Sequence, residues 1–309
     1  MFIRLGTRGS QLARTQSESV AEALRCRGHE VDVVVIRTEG DINMKPLSQL
    51  GGVGVFAAAL RLAILEGDID IAVHSLKDLP TAPVEGLTIA AIPPREDPGD
   101  VLIGGGLTLD ELPPGARVGT GSPRRAAQLL ARRGDLTIVD IRGNVDTRMR
   151  FVTDGELDAV VLAAAGLRRL GRLAPDHFPL DLWPAPAQGA LAIECRSGDA
   201  ELRGVLADLD DAATRFAAEA ERAVLATLGA GCAAPVGVRT SSDGSQAKLE
   251  ALVASPDGVQ TVTASALAEP GMKADELGRL VAGRLVAAGA GDVVDLAATA
   301  PSKLANLHD

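Results

Sequence analysis

The sequence predicts two α/β lobes, the first discontinuous, followed by a small α+β module, and three observations carry that expectation. Short apolar runs alternate with stretches of helical period up to about residue 190. Two breaker-rich clusters, Pro93-Pro94-Arg95-Glu96-Asp97-Pro98-Gly99-Asp100 and the proline-rich stretch 179–186, interrupt that alternation. Beyond Asp210 it stops, and one long helical pattern leads into hairpin-like strands. At 309 residues the chain also exceeds what a single core usually supports, so two or three domains are expected.

Residues 2–6 read as a strand, 11–25 as a helix and 31–38 as the next strand. A helix over 56–66 leads to a buried strand at 69–74, and a further strand covers 88–92. The second lobe has strands at 101–103, 117–119, 137–140 and 159–162, with helices starting near Pro123 and Val145. The strand-like segment 190–194 has no room to open a domain of its own and is placed back in the first sheet. The expected domains are therefore 1–94 with 190–209, then 95–189, then 210–309. In the last, a helix over 212–228 runs into Gly229-Ala230-Gly231-Cys232. Three short strands follow, turning at Asp243-Gly244 and Asp257-Gly258, and a helix covers 274–288.

Composition excludes several function classes. Hydrophobic residues are 46% and charged residues 23%, as in an ordinary globular protein. The longest apolar run, 159–167, is about half of what a bilayer needs. Met1-Phe2-Ile3-Arg4-Leu5-Gly6 carries no signal-peptide core, so the cytoplasm is the expected compartment. Cys26, Cys195 and Cys232 are far apart, which argues against a disulfide framework or a zinc knuckle, and the four histidines are scattered, so no metal site is expected. Aromatics at 2% leave no stacking platform for single-stranded nucleic acid, and a net charge of −10 disfavours polyanions in general.

The cations are nevertheless unevenly chosen, with only five lysines among 31 basic residues. Codon preference can account for the ratio but not for the positions. Gly6-Thr7-Arg8-Gly9-Ser10, Gly119-Thr120-Gly121-Ser122-Pro123-Arg124-Arg125 and Arg142-Gly143-Asn144-Val145-Asp146-Thr147-Arg148 share one design: a strand, a glycine-containing turn and an arginine-bearing helix start. Ser122 and Asn144 suit the N-cap, and Pro123 the first helical position. Arginine there has the wrong sign for the helix dipole, and a bound anion removes the conflict. Guanidinium forks suit carboxylates, which they bind in bidentate fashion. At one site, pairing with a nearby surface acid is the simpler reading. Repeated three times at strand C-terminal ends, the design favours a polyanion held between two lobes. Gly51-Gly52-Val53-Gly54 lacks the lysine of a phosphate loop and reads as a connecting loop.

Two further residues stand out. Ile71-Ala72-Val73-His74-Ser75-Leu76-Lys77-Asp78-Leu79-Pro80 begins as a buried strand and ends with Asp78 at the mouth of the sheet. There a carboxylate can face a cation or move a proton, with Lys77 beside it; an ordinary loop aspartate fits equally well. His74 reads as a hydrogen-bonded strand-end residue. Cys232 sits in a glycine-rich turn, where a thiol is accessible, although on spacing alone an inert thiol is the better reading. Cys26 and Cys195 read as structural.

Taken together these segments resemble the porphobilinogen deaminase family over nearly the whole chain. Arg95-Glu96-Asp97-Pro98, Ala165-Gly166-Leu167-Arg168-Arg169-Leu170-Gly171, Pro186-Ala187-Gln188-Gly189-Ala190 and Gly231-Cys232 complete the set. The resemblance implies two lobes like those of type II periplasmic binding proteins plus a small C-terminal domain. It implies a dipyrromethane cofactor joined to Cys232 through a thioether, with Ser75, Lys77, Thr120, Ser122, Arg124, Arg125, Arg142 and Gly143 around it. Arg8, Ser10, Arg148, Arg169, Gln188 and Gly189 are then expected at the substrate, porphobilinogen, and Asp78 is the implied catalytic carboxylate. The implied reaction is head-to-tail condensation of four porphobilinogen units with loss of ammonia, through an azafulvene cation, releasing hydroxymethylbilane. A cytoplasmic monomer with no nucleic-acid or membrane partner is expected.

The chain departs from the family pattern at Val53, where lysine is frequent, at Ala57-Ala58-Ala59, at Gly121, where serine is frequent, and at Asp146, where glycine is frequent. The loop 41–55 is therefore expected to contribute less to substrate binding. A small-anion binding protein is the main competing reading, but it gives Cys232 no role. A phosphate-ester enzyme needs a metal or a phosphate loop, and the sequence offers neither clearly.

Overall fold

The computed structural model describes residues 1–36, 55–231, 233–242, 244 and 246–296, with the backbone alone at Val55 and Phe56. The chain forms two compact units, one of Met1–Arg95 with Ala190–Arg215, the other of Glu96–Gly189 with the described residues from Phe216 to Leu296.

The first unit begins with β1 (Phe2–Thr7), α1 (Gln11–Arg25) and β2 (Glu30–Val35). Residues 37 and 38 of the expected strand lie outside the described residues. The α1 helix starts where the Ser10 hydroxyl accepts from the Ala13 N–H at 3.3 Å, and it buries Gln16, Ser17, Val20, Ala21 and Leu24 along one stripe. Next come α2 (Val55–Glu66), β3 (Ile71–Ser75), a 3-10 turn (Leu76–Asp78) and β4 (Leu87–Ala91). β1 pairs parallel with both β2 and β3, so the loops after β1 and β3 open at one sheet end, across a topological switch point.

The second unit follows with β5 (Asp100–Ile103), β6 (Arg117–Gly119), α3 (Pro123–Arg132), β7 (Thr137–Val139), α4 (Val145–Thr153), β8 (Ala159–Ala163), α5 (Ala164–Arg169) and β9 (Phe178–Leu180). Its sheet order is β7-β6-β8-β5-β9, with β6 parallel to β7 and β8 and with β5 antiparallel to β8 and β9. In β8, Ala159 and Val161 belong to one core cluster, Val160 and Leu162 to the other. Both faces are covered, which is why this strand reads as an unbroken apolar run.

The chain then returns to the first sheet as β10 (Leu191–Arg196), antiparallel between β3 and β4, and continues into α6 (Ala200–Ala207). The completed order, β2-β1-β3-β10-β4, repeats the plan of the second sheet. In each, the antiparallel strand comes from the segment that has just crossed over from the other unit. The two lobes therefore share one strand order, as the expectation of two like α/β lobes requires.

The C-terminal portion has α7 (Ala212–Thr227), an antiparallel sheet β11 (Val236–Ser242), β12 (Ala247–Ala254), β13 (Thr261–Leu267), then α8 (Ala274–Ala287) and α9 (Ala290–Val293). Its core joins Val224 of α7 and Leu277 and Val281 of α8 to Val238, Leu249, Ala251 and Val253 of the sheet. Within the second unit a small cluster of Ala127, Leu252, Ala254 and Trp183 seats β12 on α3. Gly258 is required there, since φ is +74° and an added Cβ would meet the Ala131 nitrogen at 2.4 Å. Asp243 of the first expected turn lies outside the described residues.

Candidate active site

In the first unit the loops after β1 and β3 carry the expected residues. Ser10 caps α1, and Arg8 beside it is half-buried. The Ser75 hydroxyl and the buried Gln16 amide exchange hydrogen bonds at 3.0 and 3.3 Å. Leu76 and Leu79 are buried at 0% and 1% exposure, and the Leu76 N–H donates to the Ala190 carbonyl at 3.0 Å. The turn is thus pinned on both sides of Lys77, which is half-buried, and Asp78, which is exposed. A carboxylate on so fixed a base can meet a ligand without reorganising the backbone.

Behind this turn is a buried trio that the sequence reading missed. Glu194 of β10 accepts a bidentate pair from Arg61 of α2 at 2.9 Å each, and His74 Nε2 lies 3.4 Å from Glu194 Oε2. Burial raises the Glu194 pKa, but His74 and Arg61 outweigh that and leave it below the usual carboxylate range. His74 is thus a buried strand-end residue within ion-pair distance of Glu194, but its Nε2 makes no hydrogen bond in the protein, contrary to the hydrogen-bonded residue expected.

The second unit contains the main correction. The Arg124 and Arg125 forks, expected to be open to an external anion, are instead buried, at 3% and 5% exposure, and both bind Asp100. Arg124 Nη2 reaches Asp100 Oδ2 at 2.8 Å and its Nη1 donates to the Trp183 carbonyl. Arg125 reaches Asp100 Oδ1 through Nη2 at 2.7 Å and Nε at 3.0 Å, and its Nη1 donates to the Val161 carbonyl at 3.0 Å. Burial raises the Asp100 pKa, yet the two guanidiniums drive it far below the usual range. Burial likewise lowers the Arg124 pKa, and Asp100 only partly offsets this. Two cations on one anion leave a net positive charge at the α3 N-terminus. There Thr120 Oγ1 accepts from the Ser122 N–H at 3.2 Å and Ser122 Oγ from the Arg125 N–H at 3.4 Å.

Gln188 is enclosed in the same way. Expected at substrate, it is 1% exposed, and its amide donates to the Pro98 carbonyl at 2.6 Å and to Asp100 Oδ1 at 2.9 Å. Gly189 has φ +89°, and a Cβ there would lie 2.2 Å from the Glu96 carbonyl oxygen. Its own carbonyl accepts from Arg169 Nη2 at 2.8 Å. Burial lowers the Arg169 pKa, with Glu96 opposing.

Around α4, Asn144 caps the helix by accepting from the Thr147 N–H at 2.9 Å, and Arg148 Nε donates to the Gly143 carbonyl at 2.9 Å. Gly143 has φ +106°, which glycine alone adopts without strain. Arg142 is half-buried, with Asp140 at 3.3 Å. The Gly121 departure fits this packing: a Cβ there would lie 2.7 Å from the Ile141 carbonyl oxygen. Asp146, the other departure, pairs with Arg172 at 3.1 Å. The Val53 departure lies outside the described residues, as does most of the loop 41–55.

Two guanidiniums here retain a buried donor: the Nε atoms of Arg124 and Arg142 are both enclosed, with no hydrogen-bond partner in the protein. Each stands beside a helix N-terminus at the carboxyl end of the second sheet. That pattern fits a group carrying several carboxylates.

Cys232 lies outside the described residues. Of the other thiols, Cys26 is exposed and Cys195 is buried, with burial pushing its pKa up to about 11. Cys195 is therefore a poor nucleophile. Iodoacetamide at neutral pH is expected to label Cys26 in the folded chain and Cys195 only after unfolding, as read by peptide mass. Labelling of folded Cys195 at a comparable rate would contradict its enclosure. Among the described residues no cluster of three or more His, Cys, Asp or Glu could hold a metal ion.

Comparison with known proteins agrees with this geometry. Residues 3–204 match the family model described as porphobilinogen deaminase, dipyromethane cofactor binding domain, and residues 215–287 match the porphobilinogen deaminase C-terminal domain. The porphobilinogen deaminase of Nocardia farcinica is 52% identical over 313 residues, covering 97% of this chain and 90% of that protein. That of Mycobacterium tuberculosis is 52% identical over 306 residues, covering 95% and 98%. That of Cutibacterium acnes is 51% identical over 331 residues, covering 97% and 99%. With two lobes of one topology, a buried cationic start to α3 and similarity along almost its full length, the chain belongs to the porphobilinogen deaminase family.

Proposed function

We propose that this transferase of tetrapyrrole biosynthesis joins four porphobilinogen molecules on a dipyrromethane held by a thioether at Cys232, with Asp78 as its catalytic carboxylate. When bound, the dipyrromethane supplies a tethered pyrrole whose free α-carbon accepts the next unit. The observation that carries the reading is the cationic cluster at the α3 start, where Arg124 and Arg125 share the single carboxylate of Asp100 and keep a net positive charge, with Arg142 at the next helix start. Every pyrrole of substrate and product bears an acetate and a propionate, so the surplus positive charge suits such a ligand, whose carboxylates take charge-assisted hydrogen bonds from donors at these helix starts. A charge-assisted hydrogen bond of that kind contributes roughly 1.5–3 kcal/mol.

Placement supports the remaining roles. Asp78 accepts hydrogen bonds from pyrrole N–H groups and faces the positive charge that develops as ammonia leaves the aminomethyl carbon of porphobilinogen. Lys77, Ser75, Arg8 and Ser10 take carboxylates beside it, on the loops after β1 and β3. Arg124, Arg142, Thr120, Ser122 and Gly143 hold the cofactor, with Arg125 fixing Arg124 through Asp100. Arg148 and Arg169 bind incoming substrate, while Gln188 and Gly189 keep Arg169 and Asp100 in place. Guanidinium binding lets one surface serve oligomers of different length, because each added ring brings the same two acids.

The three-domain division 1–94 with 190–209, 95–189 and 210–309 belongs to the same proposal, supported by the separate core between α7, α8 and the three-stranded sheet. So does a monomer in the cytoplasm with no nucleic-acid or membrane partner; among the described residues no helix is long and apolar enough to cross a membrane.

Intact-protein mass tests the anchor. Purified active chain is expected to carry a dipyrromethane adduct that maps to the Cys232 peptide, and Cys232→Ser to lack both adduct and turnover. Unmodified chain in fully active material would defeat the reading.

A further inference from the structure

Ala187 is the one non-glycine residue with positive φ, +60°, among those described, and it is completely buried. Alanine holds this left-handed conformation only under constraint. Its N–H donates to Glu221 Oε2 at 2.7 Å. Glu221, on α7, is itself 0% exposed, and its Oε1 accepts from the Thr240 N–H of β11 at 3.1 Å. One buried carboxylate thus ties the segment before β10 and the first strand of the small sheet to a single helix.

The next two residues reach the site. The Gln188 N–H closes a turn on the Ala185 carbonyl at 2.9 Å, and its side chain holds Asp100 at 2.9 Å. The Gly189 carbonyl holds Arg169 at 2.8 Å. If Ala187 relaxed to a negative φ, both groups would swing away, because a backbone rotation at 187 redirects everything immediately after it.

We propose that Glu221 is a positioning residue: it holds Ala187 in the left-handed conformation and, through Gln188 and Gly189, sets the Arg124–Asp100–Arg125 cluster and Arg169. This rests on the reading of those arginines as the carboxylate-binding face. Glu221 touches neither substrate nor cofactor in this role.

The test is a double-mutant cycle of Glu221→Gln and Ala187→Gly in the cofactor-loaded chain, followed by melting temperature and by kcat and KM for porphobilinogen. Glutamine keeps one acceptor but turns an N–H toward the second donor. Glu221→Gln is expected to raise KM roughly tenfold to a hundredfold, the range for a misplaced binding group, with a smaller change in kcat. Adding Ala187→Gly is expected to restore most of that loss, since glycine keeps φ near +60° without an anchor. It is also expected to raise the melting temperature more in the Glu221→Gln background than in the parent. No restoration of KM, or a parental KM in Glu221→Gln alone, overturns the proposal. If Glu221→Gln does not fold, folding of the double variant is the expected rescue, and failure of both to fold overturns it. Arg169→Met separates the two levels: a parental KM there removes the arginine reading, whatever Glu221 does.

Discussion

Replacing Asp78 by alanine is expected to lower kcat by roughly 10²–10⁴-fold, the span by which a positioned acid–base group commonly contributes. Asp78 is exposed on a turn whose packing comes from Leu76 and Leu79, at 0% and 1% exposure. Removing its carboxylate takes nothing from the core, so stability should change by no more than about 0.5 kcal/mol. The informative comparison is Asp78→Asn, which keeps the shape and one accepting oxygen but loses the charge. If the carboxylate acts on developing positive charge, asparagine should be nearly as slow as alanine. If it only orients pyrrole N–H groups, asparagine should recover much of the rate. Single-turnover release of ammonia measures the step directly, and thermal unfolding checks the fold. A rate above about a tenth of the parent's in Asp78→Ala would remove the assigned role.

The fold was largely legible because the α/β pattern is local. Ser122 and Pro123 announce the start of α3, and the shortness of 190–194 pointed to the first sheet, where β10 is found. The partners of the site residues were less legible, since periodicity reports which side chains are buried and not which distant group they meet. Asp100 lies 24 and 25 positions from the arginines it binds, in a breaker-rich stretch that reads as a junction. A usable signal was nevertheless present. Asp100 opens the strand Asp100-Val101-Leu102-Ile103, and Glu194 interrupts Leu191-Ala192-Ile193. A carboxylate within an otherwise apolar strand requires a buried cation, which limits the freedom of whichever arginines are available. Ala187 gave no such sign, because nothing in Pro186-Ala187-Gln188-Gly189 marks a left-handed alanine.

Asp100→Asn should be the most destabilising single change at the site. Asparagine preserves volume and one acceptor but leaves two enclosed guanidiniums without their counter-charge, a loss of about 3–5 kcal/mol for a broken buried pair. For a chain of 309 residues that corresponds to a fall of roughly 5–8 °C in melting temperature, at about 2.1 cal/mol/K of unfolding entropy per residue. The acid limb gives a second, sharper expectation. The Asp100 pKa is held below its unfolded value of 3.8, because Arg124 and Arg125 overcome the opposing effect of burial. Its contribution is therefore complete above that unfolded value and falls as the pH drops toward the folded one, since the unfolded chain takes up a proton there first. The slope is about 1.4 kcal/mol per pH unit, and Asp100→Asn has no such term. The stability gap between parent and variant should thus be widest near neutral pH and should narrow below about pH 4. Urea unfolding at pH 7 and pH 3 measures both quantities. A gap under about 1 kcal/mol at pH 7, or one that widens in acid, would mean that the two arginines are neutralised by something other than Asp100.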